Sequence, residues 1–135
     1  MTRVCLLLSL LCAFGSSAAG QAPVRVTVQQ LLATPEKFVG KRVDVTGYYQ
    51  VYAEDSQLYA SSRAMSRGTI DDSIWLDPQS ESVANRRVRV IGTFHYQPRP
   101  SLGKCVPYER RFQGFGSYHL NKRAILNITY VQPAH

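Results

Sequence analysis

The sequence RVDVTGYYQVY, residues 42–52, is the part of the chain that says most about its fold. Its valines and Tyr49 alternate with polar side chains, and this period of two predicts a long strand with one buried face. Gly47 interrupts the strand near its middle, which favours a bend of the kind that lets a strand curl around a small barrel. The sequence therefore predicts a bent, half-buried strand here.

A second stretch, RVRVIGTFHY at residues 87–96, has the same pattern. Both stretches contain the pattern basic–Val–polar–Val–x–Gly and continue into aromatic residues. We interpret them as two equivalent strands of one barrel, each bent at its glycine, rather than as a repeat of whole domains.

Shorter segments complete the predicted architecture. Period-two apolar patterns between polar connections predict three further strands, at residues 57–61, 74–76 and 124–131. Residues 28–32 predict a short helix, because Thr27 can cap its start and Thr34-Pro35 stops it. The fold class predicted is mainly β: a five-stranded Greek-key barrel with a short N-terminal helix.

The motifs together resemble the small secreted bacterial proteins of the oligonucleotide/oligosaccharide-binding (OB) fold. The resemblance lies in GKRVDVTGYY, QLYAS, IWLD, RRVRVIGTF and ILNITYV, and it covers residues 28–132. It implies an OB-like barrel, and it implies no particular ligand, because these proteins are largely uncharacterised and the fold hosts many roles. Two departures stand out. The connection at 78–85 is too short and polar for the usual helix, so we expect the N-terminal helix to plug the barrel instead. An insertion at 99–111 also lengthens the connection before the last strand.

Residues 1–20 have the features of a secretory signal peptide. Arg3 precedes an apolar run at residues 4–14, and small residues follow at 15–20. We expect cleavage near residues 19–20, one OB-like domain over 21–135, and a periplasmic or secreted mature chain without a membrane span. An uncleaved interfacial helix is the alternative. Lipidation at Cys12 is disfavoured because Leu11 is not small.

The cysteines allow no internal disulfide in the mature chain. Cys5 and Cys12 leave with the signal peptide, so Cys105 remains alone. We interpret it as an unpaired loop thiol, with intermolecular pairing as the alternative.

Charge is unevenly distributed along the chain, whose net charge is +7. Residues 21–83 carry a balance of −2, and residues 84–135 carry +8. Much of the excess falls in a long connection, residues 97–122, that is also rich in aromatic rings. Basic groups neutralise phosphate or carboxylate, and ring faces stack on bases or sugars. The predicted ligand-binding residues are Arg99, Lys104, Tyr108, Arg110, Arg111, Phe112, Phe115 and Tyr118. The alternative is that these rings pack the loop onto the barrel and the arginines are merely solvated.

The sequence offers little for catalysis. It contains no HExxH, HxxxH or CxxC spacing and no nucleophile elbow. Asp71, Asp72 and Asp77 cluster but lack the spacing of a calcium loop. We therefore predict no enzyme activity, no metal and no cofactor. We interpret Trp75 as a core residue and Asn127-Ile128-Thr129 as structural.

The function predicted is a non-catalytic extracytoplasmic binding module for anionic polymers. Candidate partners are an acidic glycan, lipopolysaccharide or nucleic acid, although export argues against cytoplasmic nucleic acid. The alternative is an accessory or structural subunit that docks on a larger cell-envelope protein assembly.

Overall fold

The computed structural model describes residues 20–53, 55–98, 114–116 and 121–133. The predicted signal peptide, apart from Gly20, lies outside these ranges. The helices and strands are, in chain order, β1 (Val24–Thr27), α1 (Val28–Ala33), β2 (Arg42–Tyr52), β3 (Asp55–Tyr59), α2 (Ser62–Arg67), β4 (Ser73–Leu76), β5 (Arg86–Tyr96) and β6 (Arg123–Pro133). Short 3-10 turns lie at Pro35–Lys37, Ile70–Asp72 and Glu81–Val83.

Strands β2 to β6 form a closed barrel. Their order around it is β2-β3-β4-β6-β5, and β5 pairs back onto β2. β4 and β6 run parallel, whereas the other neighbours in the ring are antiparallel. This confirms the predicted mainly β fold and the five-stranded OB-like barrel.

The two long strands, β2 and β5, pair with each other from Arg42↔Thr93 to Tyr49↔Arg86. Their glycines are needed because neighbouring strands come very close. A Cβ atom on Gly47 would lie 2.7 Å from the Tyr59 carbonyl oxygen, and one on Gly92 would lie 2.8 Å from the Leu126 carbonyl oxygen. The alternating residues of both strands face the hydrophobic core and are almost fully buried: Val43, Val45, Tyr49, Val88, Val90 and Phe94.

The predicted N-terminal helix is confirmed as α1. The Gln30 backbone N–H donates to Thr27 Oγ1 at 3.1 Å, and the Thr27 N–H donates to Gln30 Oε1 at 2.8 Å. This reciprocal pair is a capping box and starts the helix. Val28 and Leu31 of α1 belong to the barrel's hydrophobic cluster. Because the connection between β4 and β5 holds only a 3-10 turn, α1 is the helix that contributes to the core, in keeping with the expected plug.

Two elements were not predicted. β1 adds a sixth strand, parallel to the first half of β2, with Val24↔Val43 and Thr27↔Thr46 in register. α2 lies where a polar loop was expected. The Ala64 N–H donates to the Ser61 side chain at its start, and Gly68 ends it with φ of 62°. Only one residue of α2 is buried, so no hydrophobic period marks it.

Among the described residues, no helix has the length and apolar character needed to cross a membrane.

Candidate ligand-binding surface

Phe115 is the one predicted ligand-binding residue that the structure describes. The other seven, Arg99, Lys104, Tyr108, Arg110, Arg111, Phe112 and Tyr118, lie outside the described residues. Phe115 forms an antiparallel bridge with Asn121: its N–H donates to the Asn121 carbonyl at 2.8 Å, and the Asn121 N–H donates back at 3.1 Å. This bridge therefore joins two positions in the last part of the long connection, just before β6.

Asn121 fastens this bridge to the barrel. It is only 1% exposed. Its Nδ2 donates to Gln57 Oε1 of β3 at 2.9 Å and to Ser73 Oγ of β4 at 3.0 Å. Its Oδ1 accepts from the Arg123 N–H at 3.0 Å. The connection is thus held over the outer faces of β3 and β4, where OB barrels commonly bind their ligands.

Phe115 stacks on Trp75. Their ring centroids are 6.3 Å apart with 17° between the planes, and His95 lies 6.3 Å from Phe115 at a tilted angle of 59°. We call Trp75, His95 and Phe115 the aromatic platform. All three side chains are partly exposed.

The interpretation of Trp75 as a core residue is wrong. Its neighbours Ile74 and Leu76 are buried in the core, and successive residues of a strand point to opposite faces. Trp75 therefore lies on the outer face of β4. The signal was present in the sequence: period two across Ile74-Trp75-Leu76 separates the tryptophan from both aliphatic neighbours. His95 was also missed, because only the strand pairing brings it to Phe115.

Within the described part of the chain, three buried nitrogen atoms of β4, β5 and β6 have no hydrogen-bond partner. They are Trp75 Nε1, His95 Nε2 and Arg123 Nε. A buried donor without an acceptor costs about 1–3 kcal/mol. Such atoms are uncommon in folded proteins, and each calls for a physical explanation such as an ordered water, an ion or strain.

A cleft of about 180 Å³ opens beside Trp75. It is lined by Ser56, Trp75, Leu76, Asp77 and Gln79. The Ser56 hydroxyl donates to the Leu76 carbonyl, so this residue is already engaged in the barrel. Asp77 and Gln79 are exposed and supply polar groups at the edge of the cleft.

The two described basic residues nearest Asn121 in sequence, Lys122 and Arg123, both contact other groups of the protein. Lys122 Nζ lies 3.7 Å from Asp71 Oδ1. Arg123 donates to the carbonyls of Asp71 at 3.1 Å and Leu32 at 3.2 Å, and its guanidinium lies 5.9 Å from the centre of the Tyr96 ring. Both cations therefore make contacts within the protein, and both are also partly exposed to solvent.

The pKa of the Tyr59 hydroxyl, which lies near this surface, depends on three features of its surroundings. Burial raises the pKa of the Tyr59 hydroxyl, a hydrogen bond with Ser73 opposes this effect, and the Asp72 charge raises the pKa further. Tyr59 is therefore neutral at physiological pH.

The carboxylate of Asp72 lies 3.6 Å from the guanidinium of Arg67. Within the described ranges, no group of three or more His, Cys, Asp or Glu side chains could hold a metal ion.

No protein-family model matches the chain, and no curated protein matches it. The fold is similar to the crystal structure of a DUF3299 family protein from Pseudomonas aeruginosa PAO1. The TM-score is 0.50 at 11% identity, over 85% of this chain and 98% of that one. A putative aspartyl-tRNA synthetase from Leishmania major Friedlin has a TM-score of 0.42 at 12% identity, over 87% of this chain but 22% of that one. The first likeness shows a shared fold with a bacterial protein of unknown function.

Proposed function

We propose that the protein is a non-catalytic, extracytoplasmic binding module that takes an anionic polymer on the aromatic platform. The observation that supports this most directly is the stack of Phe115 on Trp75 over the outer faces of β3 and β4. Stacking of a base on an aromatic side chain contributes about 1–3 kcal/mol to the free energy of binding, and this contact does not require one particular ring in the ligand. The polymer is an acidic glycan, lipopolysaccharide or nucleic acid.

Charge for the polymer comes from the sequence around Phe115. Residues 97–122 hold Arg99, Lys104, Arg110 and Arg111, with Glu109 the only acidic residue. The described cations Lys122 and Arg123 already have partners, so the four basic residues outside the described ranges are the ones we assign to phosphate or carboxylate groups. Binding that uses such contacts weakens as salt rises.

Unpaired hydrogen-bonding atoms support the same surface. Trp75 Nε1 is a donor and His95 Nε2 is a donor or an acceptor according to its tautomer, and neither has a hydrogen-bond partner among the described residues. Phe115 contacts the rings of Trp75 and His95, so a small shift of the segment at 114–116 would open these two rings to the hydroxyl and ester oxygens of a glycan or a nucleic acid. The extracytoplasmic location rests on the predicted signal peptide.

The test is a titration of the purified chain with lipopolysaccharide, single-stranded DNA and an acidic glycan at low and high salt. Trp75 is the only tryptophan, so its fluorescence reports on the platform alone. We expect saturable, salt-sensitive binding to one of the three. Phe115→Ala should weaken it about tenfold, and Arg110→Glu/Arg111→Glu should weaken it further.

The matched control is Lys37→Glu/Arg63→Glu, which reverses two exposed cations far from Phe115 in sequence. This variant should bind like the parent. Equal losses in both charge-reversed variants would contradict the proposal, because net charge alone would then explain binding. If none of the three polymers binds, the module does not serve anionic polymers, and the docking-subunit alternative takes precedence.

A further inference from the structure

A second polar surface lies on the side of the barrel formed by β1, β2 and β5. β4, which holds Trp75, pairs with β3 and β6 and with neither β2 nor β5. Strand register places Arg25 of β1 beside Asp44 of β2, and Arg89 of β5 beside Thr46 on the other edge of β2. This surface is therefore separate from the aromatic platform.

An open groove of about 390 Å³ runs across these three strands. We call it the arginine groove. Its polar lining consists of Arg25, Thr27, Asp44, Thr46, Arg87 and Arg89.

Asp44 fixes the floor of the groove. Its side chain is only 11% exposed and accepts two hydrogen bonds from Arg89, from Nε at 2.9 Å and from Nη2 at 2.8 Å. Such a bidentate pair holds the guanidinium plane in one orientation. The hydrogen bond from Arg89 keeps the pKa of Asp44 below its usual value despite burial, and the charges of Arg89 and Arg25 act in the same direction. Asp44 is therefore ionised at neutral pH.

The other two arginines are less engaged. Arg25 Nε lies 3.9 Å from Asp44 Oδ2, and its side chain is 85% exposed. Arg87 is exposed, and among the described residues neither a carboxylate nor a hydrogen-bond acceptor pairs with it. Among the described residues that line the groove, three guanidinium groups thus face one carboxylate, which gives this lining a formal charge of +2.

We propose that the arginine groove binds a phosphomonoester group attached to a small organic molecule. A phosphomonoester carries a charge of about −1.5 to −2 at pH 7, which matches the groove. Guanidinium forks bind phosphate oxygens two at a time, and the Thr46 hydroxyl adds a neutral donor. This inference goes beyond the proposed function and does not depend on it.

The size of the groove favours an organic phosphate over the bare ion. Pockets for small molecules occupy about 300–1,000 Å³, and the groove falls within that range. Its remaining space, beyond the guanidinium groups, is lined by threonine hydroxyls that suit a sugar or another polyol. A carboxylate, with a single charge, leaves half of the groove's charge unbalanced.

The test is isothermal titration calorimetry of the purified chain with four probes at low salt: glucose 6-phosphate, inorganic phosphate, glucose 6-sulfate and glucuronate. We expect 1:1 binding that is tightest for glucose 6-phosphate and weakest for glucuronate. Arg87→Gln should weaken the binding of glucose 6-phosphate about tenfold, because it removes hydrogen bonds to a charged group. Since Arg87 is exposed, the melting temperature should stay that of the parent.

Arg63→Gln is the matched control, because it removes the same charge from the exposed face of α2. It should bind glucose 6-phosphate like the parent, and so should Trp75→Ala, which disables the platform instead. Absence of saturable binding to every probe would overturn the proposal, as would equal losses in Arg87→Gln and Arg63→Gln. Tighter binding of inorganic phosphate than of glucose 6-phosphate would overturn the choice of an organic ligand.

Discussion

The aromatic platform and the arginine groove lie on one barrel but are built in different ways. The groove is formed by neighbours in continuous strand register, and its central carboxylate has two short hydrogen bonds from Arg89. The platform joins Trp75 of β4 and His95 of β5 to Phe115 from a long connection, and the ring nitrogens Trp75 Nε1 and His95 Nε2 have no partner among the residues that the structure describes.

This difference shows which part of each surface is fixed by the fold. In the groove, pairing of β1, β2 and β5 fixes the backbone positions of the charged residues, and Asp44 holds Arg89 in one orientation, so only the Arg25 and Arg87 side chains must be ordered on binding. In the platform, the position of Phe115 depends on the few hydrogen bonds that Asn121 makes with β3 and β4. We therefore expect changes that disturb the packing of the barrel strands to affect both surfaces, and changes in the connection to affect the platform alone.

The largest effect should come from a change that disturbs the scaffold of both surfaces. In Gly92→Ala the new methyl group would lie 2.6 Å from Ile125 Cγ2 and 2.8 Å from the Leu126 carbonyl oxygen. Neither neighbour can withdraw freely, because both belong to the paired strand β6. We expect the free energy of unfolding to fall by about 2–3 kcal/mol, measured by urea denaturation, and both binding activities to weaken together.

Gly40→Ala provides the comparison for this variant. Gly40 has φ of 74°, but no atom lies within 4 Å of the added methyl group. Its cost is backbone strain alone, about 1–2 kcal/mol. If Gly40→Ala were the more destabilising of the two, close approach of β5 and β6 would not be the reason for glycine at position 92.

The barrel was predictable because its sequence signals are local. Gly47 and Gly92 lie at equivalent points of two alternating strands, and the structure shows that both are needed for close strand contact. The cap of α1 was equally visible, since Thr27 can cap a helix and directly precedes the helical stretch that starts at Val28. In contrast, β1 has four residues and pairs in parallel with β2, and neither property leaves a mark on a short stretch of sequence.

The two surfaces were predictable to different degrees. Phe115 stood out because the connection around it is rich in rings and basic residues. The groove did not, because Arg25, Asp44 and Arg89 are separated along the chain and meet only through strand register. Composition showed an excess of positive charge in the second half of the chain, but it did not show that a carboxylate from the first half holds one of those arginines in place.

A substitution in the arginine groove should have an intermediate effect on the free energy of unfolding and should leave the aromatic platform unchanged. Asp44→Asn removes the charge that holds Arg89, and we expect a loss of about 1–2 kcal/mol in the free energy of unfolding at pH 7. The loss stays modest because the Arg89 side chain is 37% exposed and is screened by solvent. Trp75 fluorescence should not change.

The pH dependence of this loss has a definite sign. The pKa of Asp44 is lower in the folded protein than its usual value of 3.8, so its contribution is present above that pH and is lost as pH falls through the folded pKa. The difference between parent and Asp44→Asn should therefore shrink in acid. Asp72→Asn, at an exposed ion pair of 3.6 Å, should cost less than about 1 kcal/mol. A constant difference from pH 7 to pH 2 would show that the Asp44 charge is not its cause.

The smallest effect on stability should come from the platform, where Gly116 adjoins Phe115. Gly116 has φ of 86°, and a methyl group there would lie 2.8 Å from Asp55 Oδ1 and 3.5 Å from Trp75 Cδ1. In Gly116→Ala the segment must shift away from Trp75, while the barrel beneath keeps its pairing. We expect a change in Trp75 fluorescence and weaker polymer binding, with the free energy of unfolding lowered by about 1 kcal/mol or less, because the shift of the segment relieves part of a left-handed strain that otherwise costs about 1–2 kcal/mol. Gly68→Ala imposes similar strain at φ of 62° with no atom within 4 Å, and it should leave the fluorescence unchanged. Unaltered fluorescence in Gly116→Ala would mean that the connection does not hold Phe115 against Trp75, and the contrast between a register-built groove and a connection-built platform would then fail.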